Sequence, residues 1–461
     1  MAKLSQVGKF QIRFDTLRAA RTTPVEINAR QQRRLEDLLD FTSRESRFYK
    51  RLYGDIQFPI TNLEDLPITS KPMLMEHFED IVTDTAVTRN EIDAFVEDEN
   101  AIGKRFLGRY PVWTTSGTTG EPGIFLQDDY ALTAAGVAST RWLRSLLNVE
   151  TAKKLARNEL RAAMISIDGH HYAAASGVTM LQRRYPFLRN RFKVFSPKRS
   201  LPELVADLND YQPALITGYA SVIKELAREQ TKGRLMLSPA FISTGAEPIS
   251  VSEKRELSRI FDCPVREIYG STEFFALGVE CEHGNLHANS DWVILEPVDE
   301  EYQPVEPGKP SATVLLTNLA NRIQPLVRYD LGDSITMYEE PCSCGSPFPI
   351  IEIGGRQGEI LHFSTDDGRT IPVFPLPLSS TVEQVQGIHR TQIIQTDPRS
   401  LTIRLDTTDD ADERVVWEQV ESALHEFLER LEITGINIKK SSTPPQREST
   451  SGKYNHVWSE V

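Results

Sequence analysis

The sequence predicts an α/β protein in two parts: a large N-terminal domain of parallel sheets with helices plus a β-rich subdomain, then a small mobile α+β C-terminal domain. Three observations carry this reading. Short apolar strands alternate with helical patterns through the first three-quarters, the texture turns β-rich after Tyr269, and it changes again at Gly354-Gly355-Arg356-Gln357-Gly358. Strand, helix, strand in that rhythm calls for parallel βαβ units.

Taken in order, residues 31–53 read as an amphipathic helix, with Leu35, Leu38, Leu39, Phe48, Tyr49 and Leu52 on one face. Strands are expected at 162–167, 214–217, 240–244 and 265–269, and helices at 201–208, 220–229 and 251–260. The β-rich stretch offers 292–297, 312–316 and 323–329 with Pro-Gly turns such as Val305-Glu-Pro-Gly308, an appended barrel or antiparallel sheet. Beyond the glycines come strands at 391–395 and 401–405, a helix at 411–431 and a strand at 433–438. Glycine permits a wide backbone swing, so the domains are set at 1–355 and 359–461, with 356–358 as the hinge.

The 461 residues hold 52 Lys+Arg against 65 Asp+Glu, a net charge of −13. That balance argues against nucleic acid or an anionic membrane as the main partner and leaves room for a local basic phosphate pocket. No apolar run approaches a membrane span; the apolar stretch at 371–378 is interrupted by prolines. Residues 1–34 carry eight Lys/Arg and two acids, a weak likeness to a transit peptide, but the segment continues into the first amphipathic helix. The four cysteines, at 263, 281, 342 and 344, make no disulfide framework, so a reducing cytoplasm is expected.

The first motif is Thr114-Thr115-Ser116-Gly117-Thr118-Thr119-Gly120-Glu121-Pro122, with five hydroxyls and two glycines. Glycines let N–H groups approach an anion and hydroxyls add donors, which suits a polyphosphate. The spacing is not that of a P-loop, and read alone a polar turn is the alternative. It is followed by Ser243-Thr244-Gly245-Ala246-Glu247-Pro248, Tyr269-Gly270-Ser271-Thr272-Glu273, Val327-Arg-Tyr-Asp-Leu-Gly-Asp333, Gly355-Arg356 and Ser449-Thr-Ser451-Gly452-Lys453.

In this order the motifs resemble those of the adenylate-forming superfamily of acyl-CoA synthetases, luciferases and nonribosomal-peptide adenylation domains. The wording is most similar to the phenylacetate–CoA ligase branch, with Phe48-Tyr49, Asp65-Leu-Pro-Ile-Thr-Ser-Lys71, Gly284-Asn-Leu-His287 and Cys342-Ser-Cys344-Gly345 as further matches. The resemblance implies ATP and Mg²⁺ as cofactors and coenzyme A as co-substrate. It implies that Thr115, Ser116, Gly117, Thr118, Thr119 and Gly120 cradle the β- and γ-phosphates. Glu273 would hold Mg²⁺, with Thr272 beside it in catalysis. Gly245, Ala246, Glu247, Pro248, Tyr269, Gly270, Ser271 and Thr272 would line the adenine and α-phosphate, Asp333 with Arg356 the ribose. Lys453 would bridge the attacking carboxylate and the α-phosphate. The acyl pocket would involve Tyr219, Gly245, Phe274, Phe275 and His171.

Two positions depart from the pattern. A lysine often follows the proline of the phosphate loop, and here that place is Gly123; the hinge residue, commonly Asp or Lys, is Gly358. A glycine can absorb the rotation without biasing its direction.

Independently of these, Cys281-Glu-His283-Gly-Asn-Leu-His287 with Cys342-Ser-Cys344 offers three thiols and an imidazole, the donor set of a closed structural zinc site. Cys281, His287, Cys342 and Cys344 are the expected ligands, with His283 as substitute for His287; buried cysteines with hydrogen-bonded histidines are the alternative. Cys263 reads as a core thiol.

The expected function is ATP- and Mg²⁺-dependent adenylation of an aromatic or cyclic carboxylic acid, then acyl transfer to coenzyme A. The alternative keeps the adenylation and forms an amide with an amino acid, as coronafacate ligase does. The oligomeric state is left open, a homodimer included.

Overall fold

The computed structural model describes residues 8–54, 63–115, 123–141, 148–166, 168, 171–197, 199, 201–247, 249–356, 361–365, 368, 370–373, 378, 381–382, 385–408, 411–446 and 456–461. By internal contacts the chain divides into two units. The first is Met1–Lys309, Val314–Leu331 and Thr336–Glu352; the second is Pro310–Thr313, Gly332–Ile335 and Ile353–Val461. The main division thus falls between Glu352 and Ile353, and Asp333 clusters with the second unit.

The first unit begins with helices. The helix Pro24–Glu45 starts earlier than its apolar stripe, at a capping box in which Thr23 and Glu26 satisfy each other's backbone N–H. The expected single helix at 31–53 is broken at Ser46, whose hydroxyl accepts from the Tyr49 amide and starts a second helix, Arg47–Tyr53. A short hairpin, β1 (Val112–Thr114) and β2 (Ile124–Leu126), then brings Thr114 opposite Ile124.

Five strands follow, four of them expected and β4 not: β3 (Ala162–Ile165), β4 (Phe192–Phe195), β5 (Leu215–Gly218), β6 (Phe241–Thr244) and β7 (Val265–Tyr269). All their pairings are parallel, with Ile165 beside Gly218 and Gly218 beside Thr244. The C-terminal ends of β3, β4, β5 and β6 therefore lie level and β7 runs two residues further, from Glu267 opposite Thr244 to Tyr269, which places the following loops along one edge of the sheet. Helices Leu201–Tyr211, Ala220–Thr231 and Val251–Phe261 cross between strands and bury Leu204, Leu208, Ile223, Leu226 and Leu257 against Ile216, Ile242 and Val265. Burial of such a side chain contributes about 1.5–3 kcal/mol, so this core sets the frame on which the loops are displayed.

The β-rich continuation holds β8 (Gly278–Glu280), β9 (Leu286–Ala288), β10 (Val293–Val298), β11 (Thr313–Asn318), β12 (Tyr329–Asp330), β13 (Asp333–Tyr338) and β14 (Ile350–Arg356). β8 and β9 extend the parallel sheet antiparallel to β7, giving the order β13-β14-β9-β8-β7-β6-β5-β3-β4, while β10-β11-β12 form a separate sheet. The strand expected at 323–329 does not form: only Tyr329–Asp330 is a strand. Pro325 has no N–H to give a ladder, Arg328 takes φ +47°, and the amides of Val327 and Arg328 donate to Tyr49 Oη and Thr317 Oγ1.

The second unit contains β15 (Leu361–Ser364), β16 (Thr370–Val373), β17 (Ile388–Asp397), β18 (Ser400–Thr407), β19 (Asn437–Lys440) and β20 (Val457–Ser459), with helix Glu413–Arg430. The sheet runs β19-β18-β17-β20, and the helix buries Val416, Val420, Leu424 and Leu428. The strand expected at 433–438 begins only at Asn437; Ile433 and Ile436 are buried from irregular backbone.

Candidate functional site

The loops after β5, β6 and β7 leave the same edge of the sheet. Gly245 N–H donates to the Gly218 carbonyl at 3.2 Å, stitching two of them together, and a side chain on Gly245 would lie 3.1 Å from the Ile268 oxygen. Ala246 takes φ +63°, a left-handed conformation costly for a residue with Cβ. Glu247 is buried beside it, and Pro248 lies outside the described residues. After β7 the chain turns sharply: Ser271 N–H donates to the Phe274 carbonyl, and the Ser271 hydroxyl accepts from Phe274 N–H. Any side chain at Gly270 would meet the Phe275 carbonyl oxygen at 2.4 Å, so this turn requires glycine.

That turn presents Glu273, 5% exposed. Its main-chain oxygen accepts from Gln127 Nε2 at 3.2 Å and Asn318 Nδ2 at 3.0 Å, while the Tyr329 hydroxyl donates to Oε1 at 2.9 Å. Gln127 and Asn318 stand in none of the sequence motifs and Tyr329 stands in one without a role of its own, because each reaches Glu273 across 45 or more positions.

Of the phosphate-loop residues only Thr115 is described; Ser116, Gly117, Thr118, Thr119 and Gly120 lie outside the described residues, as do Lys453 and Gly358. The loop's two ends are fastened: Thr115 N–H donates to the Gly123 carbonyl at 3.0 Å, and Gly123 N–H donates to Thr115 Oγ1 at 2.8 Å. At Gly123 a side chain would meet Phe125 at 2.7 Å and the Lys71 stem at 3.3 Å. Lys71, from the first residue of helix Lys71–Glu76, thus reaches the loop exit where a lysine was missed in the sequence.

The remaining positions are spread. Tyr219 caps the helix after β5 and sets its hydroxyl 3.5 Å from Ser166 Oγ. Phe274 is 1% exposed and belongs to the interior, while Phe275 is half-buried. His171, also 1% exposed, packs its ring against Phe95 at 5.1 Å, and its carbonyl accepts from Thr114 N–H. Asp333 opens β13, buried within the second unit, and Arg356 closes β14.

The thiol cluster is assembled. The donor atoms of Cys281, His287, Cys342 and Cys344 all lie within 4.8 Å of one another. Two matching turns hold the cysteines: Gly284 N–H donates to the Cys281 carbonyl and Gly345 N–H to the Cys342 carbonyl, both glycines at positive φ. His287 sits on β9, its Nδ1 2.9 Å from the Phe348 oxygen and its Nε2 3.4 Å from Cys344 Sγ. His283 instead pairs with Ser343 at the surface, so His287 is the member of the cluster. Burial opposes ionisation of Cys342, but N–H donors from Cys344 and Asn285 outweigh it and hold this thiol below its ordinary value. Burial, with Cys342 and Cys281 alongside, pushes Cys344 up to about 12. Cys263 is a buried thiol apart from the cluster, also raised to about 12 by burial.

A largely parallel sheet with hydroxyl- and glycine-rich loops at its strand ends, followed by a small α+β unit, is a fold shared with a solved CoA ligase. Among solved structures the chain matches 2-hydroxyisobutyryl-CoA ligase in the postadenylation state, in complex with R3-HIB-AMP, at TM-score 0.67 and 18% identity over 94% of this chain and 89% of that one. An open conformation of that ligase with 2-HIB-AMP and CoA matches at TM-score 0.56, 17% identity, over 93% and 90%. Among sequence relatives, phenylacetate-coenzyme A ligase of Thermus thermophilus is 24% identical over 474 residues, 95% of this chain and 97% of its own length. Protein CapK of Staphylococcus aureus is 22% identical over 407 residues, 86% and 81%. No family model matches. Among the described residues no helix is long and apolar enough to cross a membrane.

Proposed function

We propose that the protein is an AMP-forming carboxylate–CoA ligase: with ATP and Mg²⁺ it adenylates an aromatic or cyclic carboxylic acid, then passes the acyl group to coenzyme A. The observation that carries this is the buried Glu273 just past the end of β7, its carboxylate accepting from the Tyr329 hydroxyl and its main chain from Gln127 and Asn318. Parallel sheets place ligands at the carboxyl ends of their strands, and full-length likeness to a phenylacetate–CoA ligase supports the same chemistry.

Joining a carboxylate to a thiol needs a better leaving group than hydroxide, and ATP supplies AMP. Both reactants are anions, so the protein's task is positioning and charge neutralisation. A buried carboxylate with a fixed main chain suits Mg²⁺, a hard cation that takes one or two carboxylates plus phosphate oxygens; when bound it neutralises phosphate charge. Thr115–Gly120 hold the β- and γ-phosphates, and Lys71 supplies the cation that Gly123 does not. Gly245–Pro248 and Tyr269–Thr272 take the adenine and α-phosphate. Asp333 with Arg356 serves the ribose, Lys453 the reacting carboxylate, and the proposed hinge at 356–358 would let residues 359–461 swing between the half-reactions. Tyr219, Phe275 and His171 belong to the acyl side. Phe274 supports that side from the interior.

The Cys281, His287, Cys342, Cys344 set fits a structural Zn²⁺: three thiols and one imidazole, with backbone N–H donors to sulfur and a carbonyl orienting Nδ1. Four unpaired cysteines suit the cytoplasm.

The test is pyrophosphate release over a panel of aryl, heteroaryl and alicyclic acids, followed by mass analysis with coenzyme A or amino acids as acceptor. A thioester is expected; an amide would transfer the second step to the amino-acid reading, and no release with any acid would sink the adenylation itself.

A further inference from the structure

The reading of Glu273 as a metal carboxylate leaves open what holds its side chain in one orientation, and the inference here rests on that reading. We propose that Tyr329 is a positioning residue for metal binding: its hydroxyl fixes the Glu273 carboxylate, and a strut centred on Thr69 fixes Tyr329.

The contacts form one path within the first unit. Tyr329 is 3% exposed, its hydroxyl donates to Glu273 Oε1 at 2.9 Å, and Phe125 meets its ring edge-on at 6.2 Å. Behind it, Thr69 is wholly buried and forms an isolated parallel bridge with Tyr329. Thr69 N–H donates to the Arg328 carbonyl at 2.9 Å, Asp330 N–H donates to the Thr69 carbonyl at 2.8 Å, and Thr69 Oγ1 donates to the Val327 carbonyl at 3.1 Å. Arg328 adds a clamp: its guanidinium donates to the Leu66 and Glu64 carbonyls at 2.6 and 2.9 Å and to Glu296 at 3.1 Å. Two residues past Thr69 the chain reaches Lys71 and the mouth of the phosphate loop.

A hydrogen bond to a buried carboxylate is worth more than one between neutral groups. Partners of this kind set the ligand's orientation, and their loss typically costs 10–100-fold in metal affinity. The segment 69–71 is therefore more than packing. It holds the Tyr329–Glu273 pair on one side and Lys71 on the other, so the metal and phosphate positions share one support.

The experiment uses the full chain with Mn²⁺ as a paramagnetic stand-in for Mg²⁺ and α,β-methylene ATP as the nucleotide, free Mn²⁺ being read by electron paramagnetic resonance. Tyr329→Phe keeps the ring against Phe125 and removes only the hydroxyl. It is expected to weaken Mn²⁺ uptake with nucleotide about tenfold or more, to leave metal-free nucleotide binding unchanged, and to add nothing once Glu273→Gln is present. Weakening by Glu273→Gln with wild-type behaviour in Tyr329→Phe, or additive losses in the double variant, would overturn the positioning role and leave the metal carboxylate standing. Unchanged uptake in Glu273→Gln would remove the metal reading and this inference with it. Should Tyr329→Phe fail to fold, Thr69→Val decides: a loss of Mn²⁺ affinity supports the strut, and none overturns it.

Discussion

Cys281 and Cys342, 61 positions apart in the chain, hold their Sγ atoms 3.9 Å apart. Two separate turns, one between β8 and β9 and one between β13 and β14, have to be folded before this approach exists. A cation joining them closes a long loop, and structural zinc is coupled to folding because its ligands are scattered in the unfolded chain. Protein purified without a His-tag or added zinc should carry close to one zinc per chain. Cys342→Ser with Cys344→Ser, or strong chelation, should lower the melting temperature more than it weakens ATP binding. Metal content near zero would reduce the cluster to core thiols.

Lys71→Ala should raise the KM for ATP about tenfold or more while the melting temperature changes little, since the side chain is half-buried and only its stem packs on Gly123. Lys71→Arg should recover part of the loss. A KM shift for the acid and none for ATP would place Lys71 outside phosphate binding.

Lys453→Ala should slow adenylation roughly 10²-fold or more, because it removes a cation acting on developing transition-state charge. The second step, started from synthetic acyl-adenylate and coenzyme A, should suffer less. Equal losses in both assays would refute the division of labour.

Glu296 gives a pH prediction. Burial pushes its carboxyl up to about 7 from an ordinary 4.5, with Arg328 opposing. The folded group binds a proton that the unfolded group releases, so its contribution to stability is complete below pH 4.5 and is lost as pH rises through about 7. Glu296→Gln removes that titration. Urea midpoints measured at about pH 5 and about pH 8 should show the variant gaining on the wild type as pH rises; a difference independent of pH would contradict the burial argument.

The parallel core was legible along the chain. Val265–Tyr269 is a strand with the expected limits, and the strands ending at Ile165, Gly218 and Thr244 lie within two residues of expectation. Alternation between periods of two and 3.6 residues is local information, as is the clustering of glycine and hydroxyl residues just past strand ends. Cys281, His287, Cys342 and Cys344 could be picked out because few side chains bind soft cations, so their identity alone narrows the choice.

Other relationships had no local trace. Residues 323–328 look like a strand by composition, yet their amides go to Tyr49, Thr317 and Asn321 rather than to a ladder. Ser46 splits a helix that the apolar stripe runs straight through. Phe274 was expected on the acyl pocket wall and is core, because Gly270 and Ser271 turn the chain so tightly that Glu273 and Phe274 are both carried inward. The support of Glu273 by Tyr329, Gln127 and Asn318, and the arrival of Lys71 at Gly123, depend on hydrogen bonds and contacts between segments 45 to 146 residues apart. Periodicity and motif spacing report which face of an element is apolar and which side chains are chemically able. Which able side chains meet is settled only when packing of the apolar faces brings distant segments together, and that is a property of the folded chain as a whole.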